Sequence, residues 1–274
     1  MRIFFRNMGL FALLFLLGTS GGPLPSELQF GTCPPAWGAD FEFKGKIEPA
    51  DDVSHLLAFY VNRFTPETLD LTVSGHPDAT GRFAELYMDL TGVMIEDVRL
   101  DKLTFRMYGV QFNAPENWAS GNVECKDALQ IHALSAILQT DINKSLEAKT
   151  FGSDDHWRQV SLAITPKGLK GRGYYMANVL FVTLDILIEI DSGLKIVKNK
   201  ELWLDNPEVR INRLDLPEYI TNKALSQIQP LLNLNRFPLP MSLHKVTLEE
   251  GRAILSTRQL PKPLEKGISY HYER

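Results

Sequence analysis

Residues 169–204 read LKGRGYYMANVLFVTLDILIEIDSGLKIVKNKELWL, and the alternation inside this stretch decides the fold. Every even position from Leu180 to Ile190 is aliphatic: Leu180, Val182, Leu184, Ile186, Ile188 and Ile190. Polar residues enter only at odd positions, as Thr183, Asp185 and Glu189. A period of two predicts a β-strand with one apolar face. Asp191-Ser192-Gly193 then offers a three-residue hairpin loop, with Gly193 able to take positive φ. One strand from Gly168 to Ile190 would span roughly 70 Å at about 3.3 Å per residue. Such a length must bend or wrap, with Gly171, Gly173 and Asn178 as bend or bulge points. A long strand of this kind reads as a wall around something apolar.

Working outward, Leu194 to Leu204 returns along that wall. If Ile190 pairs with Leu194, then Ile188 meets Ile196, Ile186 meets Lys198, and Leu184 meets Lys200. Two lysines would then share the aliphatic face. Either a bulge near Val197 flips the register, or Lys198 and Lys200 reach to a cavity mouth and hold an anionic headgroup. Downstream, Asp205-Asn206-Pro207 is a turn signal before a short strand, Val209 to Leu214. Pro217 opens a second helix to about Leu232, with Ile220, Ala224, Ile228 and Leu231 as its apolar stripe. Val246–Glu249 and Ala253–Thr257 flank Glu250-Gly251 as a final hairpin, and the polar stretch from Pro261 is expected to fray.

Upstream, Ala50-Asp51-Asp52 starts a helix whose Val53, Leu56, Leu57, Tyr60 and Phe64 share a face, and Thr65-Pro66 stops it. Glu67–Gly75 and Val98–Phe112 read as strands, the last with an offset near Gly109; Arg82–Leu90 fits either helix or strand, and its alternating Ala84, Leu86, Met88 and Leu90 favour strand. Asp127 to Thr150 carries the strongest helical pattern, a stripe of Ile131, Leu134, Leu138, Ile142 and Leu146. Trp157–Thr165 joins the wall through the turn Pro166-Lys167-Gly168. Short connections between strands imply antiparallel pairing. The expected fold is α+β, with helices laid against a long, strongly curved antiparallel sheet around an apolar groove.

The first 20 residues carry an address. Arg2 and Arg6 precede an apolar run from Met8 to Leu17 and then small residues, the order of a secretory signal peptide. The run falls short of the roughly 20 apolar residues that span a bilayer, although an uncleaved anchor is the alternative. Cleavage after Ser20 removes those two arginines and no acidic residue, taking the net charge from −4 to −6. Residues 21–40 form a Pro/Gly/Ser-rich linker, residues 41–260 the folded domain, and residues 261–274 a polar tail. In an oxidising compartment Cys33 and Cys125 could form a disulfide, the favoured reading; spacing alone leaves two free thiols as the alternative.

The bulk composition is that of an ordinary globular chain, 44% apolar and 23% charged. Its negative balance gives no electrostatic case for nucleic acid. No H-E-x-x-H, P-loop or C-x-x-C motif is present. The glycines at 168, 171 and 173 lead into a strand and lack the helix N-terminus of a phosphate loop. Ser153-Asp154-Asp155-His156 could bind a metal but reads better as an exposed loop, and His132 as a helix residue beside the apolar stripe. Nothing asks for catalysis or a cofactor.

Two segments resemble a known family. In Leu71–Pro115 the Ser74-Gly75-x-Pro77 turn, Gly81-Arg82-Phe83, Gly92 and Leu103…Gly109-Val110 are similar to the LmeA-like family of secreted bacterial phospholipid-binding proteins. Leu232-Asn233-Leu234…Phe237-Pro238-Leu239-Pro240 and Leu243…Val246-Thr247-Leu248…Gly251 resemble that family's closing hairpin. The resemblance implies a fold like the tubular lipid-binding proteins, a curved sheet wrapping a long helix around a lipid groove. It implies phospholipid as partner, transient contact with the envelope membrane surface and no enzymatic activity. Leu134 and Leu138 would face Leu180 to Ile190 across that groove, with Lys198 and Lys200 at its mouth. The alternative function is an envelope assembly protein whose apolar face docks a protein partner. The stretch Ala114–Lys126 with Cys125, and the linker with Cys33, have no counterpart in the resemblance.

Overall fold

The structure is a computed structural model that describes residues 40–95, 98–148, 157–179, 182–215, 217, 229–236, 239 and 241–274. Its strands are β1 Asp40–Lys44, β2 Thr68–Val73, β3 Arg82–Ile95, β4 Val98–Phe112, β5 Cys125–Asp127, β6 Gln130–Leu138, β7 Trp157–Thr165, β8 Gly168–Val179, β9 Val182–Val197, β10 Glu201–Ile211, β11 Leu214–Asp215, β12 Leu232–Asn233, β13 Lys245–Glu249, β14 Arg252–Ser256 and β15 Ile268–Glu273. The described α-helices are α1 Asp52–Phe64 and α2 Gln139–Ala148. This is an α+β protein dominated by antiparallel sheet. One sheet runs β1-β15-β2-β3-β4-β6-β14-β13, with β5 on β4. The other runs β11-β10-β9-β8-β7, with β12 on β10.

The first helix forms where its caps and stripe place it. Asp51 accepts from the Ser54 amide at 2.8 Å while Ser54 Oγ accepts from the Asp51 amide at 2.9 Å, a reciprocal capping box. Val53, Leu56, Leu57, Tyr60 and Phe64 are buried, and Thr65 ends the helix in the left-handed region. β2 and β4 lie where the alternation predicts them, β4 beginning and ending at Val98 and Phe112, and Arg82–Leu90 is strand within a longer β3 that runs on to Ile95. The final hairpin is β13–β14, in register from Lys245↔Ser256 to Glu249↔Arg252.

Three expectations are corrected. Residues 127–138 are not helical: Gln130–Leu138 is β6, hydrogen-bonded between β4 and β14, and the helix starts only at Gln139. A strand in mid-sheet can be buried on both faces and then loses its period of two. Here His132, Ala133, Ala136 and Ile137 are the buried positions, a spacing that imitates a helical stripe.

The wall is not one strand. Val179 pairs with Val182, so β8 and β9 are two antiparallel strands of a hairpin. Leu180-Phe181 carries none of the Gly, Asn or Asp residues that usually mark such a turn. Asp191-Ser192-Gly193, which does look like a turn, lies inside β9. Ser192 is buried, and its hydroxyl donates to the Asp205 carbonyl at 3.0 Å. The reversal comes instead at Lys198-Asn199, both at positive φ. Likewise Asp205-Asn206-Pro207 is a bulge within β10, where the register shifts between Asp205 and Glu208.

The third correction is at the C-terminus. The stretch expected to fray contains β15, which pairs with β1 on one side and β2 on the other. Ile268, Tyr270 and Tyr272 are all buried, and the folded domain therefore extends past residue 260. The helix expected over 217–232, the signal segment, the linker and residues 153–156 lie outside the described residues, apart from Pro217 and 229–232.

Candidate functional site

The apolar face of β9 runs through Ile186, Ile188, Ile190, Ser192, Leu194 and Ile196, because side chains two apart share a face. Across β10, Ile196 pairs with Leu202 and Leu194 with Leu204; beyond the bulge, Ile190 pairs with Val209 and Ile188 with Ile211. The inserted residue switches β10 from even to odd positions. All four aliphatic side chains thereby stay on one face. On the other side, Gly171 lies opposite Ile190 and Gly173 opposite Ile188, so β8 offers no side chain between Leu169 and Tyr175 on that face.

This face closes against the larger sheet over a cavity of about 80 Å³. From the smaller sheet come Ile164, Leu169, Ile190, Leu194 and Leu204; from the other side come Ile137, Ile142, Ala253 and Leu255. A single water needs ~10–15 Å³ by the same measure, so there is room for several methylene groups. The walls are aliphatic except for Ser192, whose hydroxyl is already committed to the Gly193 and Asp205 carbonyls. A space with no free polar group to hold water favours an apolar occupant.

A second space, of about 50 Å³, lies beside the first and shares Leu255 with it. Its walls include Leu103, Leu134, Leu232, Leu234, Met241 and Leu243.

The residues singled out in the sequence divide accordingly. Ile190 lines the first cavity and Leu134 the second. Ile188 is 6% exposed and packs with Ile190, Leu204 and Val209, with Ile186 half-buried at the margin of that cluster. Leu184 is 47% exposed. Leu138 is half-buried and borders neither cavity. Leu180 and the side chain of Val182 lie outside the described residues. Lys198 and Lys200 do not pair with Ile186 and Leu184; both belong to the turn that joins β9 to β10, where Lys200 Nζ donates to the Met241 carbonyl. The reading missed Ala253 and Leu255, which face the cavity from the final hairpin.

Electrostatics around the interior are structural. Arg99 donates to Glu67 through Nε at 3.0 Å and Nη2 at 2.9 Å, and to the buried Asp141 through Nη1 at 2.8 Å. The guanidinium holds the Glu67 carboxyl below its usual range, and the cluster ties the start of α2 to β4 and to the residue before β2. Burial lowers His55 and His132. Among the described residues Cys125 is a free, half-buried thiol pushed up to about 11, by burial first and then by Asp127. Its expected partner Cys33 lies outside the described residues. No group of three His, Cys, Asp or Glu among the described residues could hold a metal ion. No described helix is long and apolar enough to cross a membrane.

Comparison with known proteins gives one match. Residues 56–258, most of the chain, fit the profile of the LmeA-like phospholipid-binding family. No curated protein and no solved structure matches the chain.

Proposed function

Because the chain belongs to the LmeA-like phospholipid-binding family, we propose that it is an exported, non-enzymatic phospholipid carrier of the cell envelope. In this reading it holds acyl chain between its two sheets and touches the membrane surface only to load and unload. The observation that carries this is the aliphatic cavity bounded by Ile190, Leu194 and Leu204 on one side and Ala253 and Leu255 on the other. Its volume is short of a whole acyl chain. A bound chain therefore continues along the apolar face of β9, past Ile188 and Ile186 toward Leu184, where exposure rises. Export rests on the N-terminal pattern of Arg2, Arg6 and the apolar run Met8–Leu17.

Native mass spectrometry of the protein purified from its envelope fraction tests the proposal. Phospholipid adducts that solvent extraction removes are expected. A protein that carries none, and takes up none from phospholipid vesicles, is not such a carrier.

A further inference from the structure

The second apolar space lies beside a cationic corner where the β9–β10 turn of the smaller sheet meets β13 of the larger one. The β9–β10 turn is stitched to both segments that wall this space: the Leu234 amide donates to the Lys200 carbonyl, and the Leu243 amide donates to the Asn199 carbonyl, at 2.8 and 2.7 Å. Lys200 Nζ donates to the carbonyl of Met241, whose residue lines the same space. Lys198, His244 and Lys245 are exposed close by in the chain and the register, with Lys245 opposite Ser256 on the cavity wall. Among the described residues no carboxylate pairs with Lys198, Lys200 or Lys245. The neighbouring Glu201 is engaged by Trp203 Nε1 at 2.9 Å. An ammonium whose described partner is a carbonyl keeps donor capacity, since Lys has three N–H bonds to give.

We propose that this corner holds the phosphate of a bound phospholipid, with Lys200 as its principal contact and one acyl chain in the space lined by Leu134, Leu234 and Leu243. Leu255 lines both spaces, so the two chains of a diacyl lipid start in adjacent compartments and run on beyond them. The assignment rests on the phospholipid-carrier reading and specifies where the anionic group sits. The recognised chemistry is a phosphate oxygen beside a short apolar tail, and two sources could supply the phosphate: a lipid headgroup or the free ion.

The test offers dioleoylphosphatidylglycerol or dioleoylglycerol in nonionic detergent micelles and quantifies bound lipid on the full chain. Wild-type protein should prefer the phosphorylated lipid by about tenfold or more, the worth of one charge-assisted hydrogen bond. Lys200→Gln keeps a donor for the Met241 carbonyl but removes the charge. It should melt as wild type does and lose most of that preference, while Lys200→Arg should keep it. Millimolar inorganic phosphate should leave the bound lipid in place. Equal uptake of the two lipids by wild type overturns the assignment without any variant, as does a Lys200→Gln protein with the full preference. Displacement of phosphatidylglycerol by inorganic phosphate would make the corner a free-anion site and also overturn it. A wild-type protein that takes up neither lipid refutes the carrier reading itself.

Discussion

Ile190 lies opposite Gly171 across the β8–β9 ladder. A large branched side chain beside a position with none means that β8 puts no side chain on the inner face here, next to the face bearing Ile188 and Leu194. Gly171 is not among the positive-φ glycines, so a Cβ there meets no conformational penalty. Gly171→Val should leave the melting temperature unchanged or slightly raised, because glycine weakens a strand interior. Bound lipid should fall. Retention of the full lipid load would place the ligand away from this face.

Arg99 ties Glu67 on the β2 side to Asp141 in the first turn of α2. Arg99→Gln leaves a carboxylate that is 6% exposed without its guanidinium. Breaking a buried charged hydrogen bond in this way should cost about 2 kcal/mol or more, read as a lower urea midpoint. The pH dependence has a definite sign. Glu67 is held below its ordinary 4.5 in the folded protein, so its contribution is present above that value and is lost as pH falls through the folded pKa. The wild-type stability should therefore drop more steeply below about pH 4.5 than that of the variant. Parallel acid limbs would contradict the clamp.

Deleting residues 261–274 should abolish folding. β15 is an interior strand, and its Tyr270 hydroxyl donates to Asp51 at 2.6 Å, joining the C-terminus to the first cap of α1. Losing Ile268, Tyr270 and Tyr272 removes about 5 kcal/mol or more of apolar burial, which is comparable to the whole stability of a domain. It also bares the β2 edge. A soluble truncated protein with an ordinary thermal transition would show that β15 is dispensable.

These elements also show what the sequence makes legible. Helix α1, strand β4 and the β13–β14 hairpin are each fixed by local chemistry: a capping residue with an apolar stripe, a long alternating run, a Glu-Gly turn. Strand β6 is fixed by its neighbours, and burial on both faces erased the period that would have revealed it. The β8–β9 reversal lacks turn residues, while Asp191-Ser192-Gly193 has them and is held extended by Asp205 and β10. Tyr270 and Tyr272 lie in a polar, charged stretch and are buried only because β1 and β2 flank them. Of the site, the aliphatic face of β9 is visible as an alternation. The opposing wall of Ile137, Ala253 and Leu255 comes from distant strands, and no local pattern announces that they meet it.

His132 should make the protein sensitive to mild acid. Burial is the main cause of its lowered pKa, with the nearby Arg106 charge second, and among the described residues its Nε2 has no partner. Below about pH 6.5 the unfolded chain takes up a proton that the folded one resists, so stability falls until the folded pKa is passed. His132→Gln should flatten the melting temperature between pH 6.5 and 5.5 relative to wild type. An unchanged slope would assign that pH dependence to other groups, His55 first among them.

The carrier reading requires the two sheets to enclose space for an apolar ligand and not a solid core. Ala253 on β14 borders that space, and Ala253→Leu puts a larger side chain into it. The decisive measurement is melting temperature and co-purified phospholipid, taken together on wild type and this variant. The account predicts a melting temperature within about 3 °C of wild type and a marked loss of bound lipid, because the added methylenes occupy the ligand's place. A filled core would be overpacked, losing about 1–3 kcal/mol. A strongly destabilised Ala253→Leu protein that still carries its full complement of lipid would contradict the account.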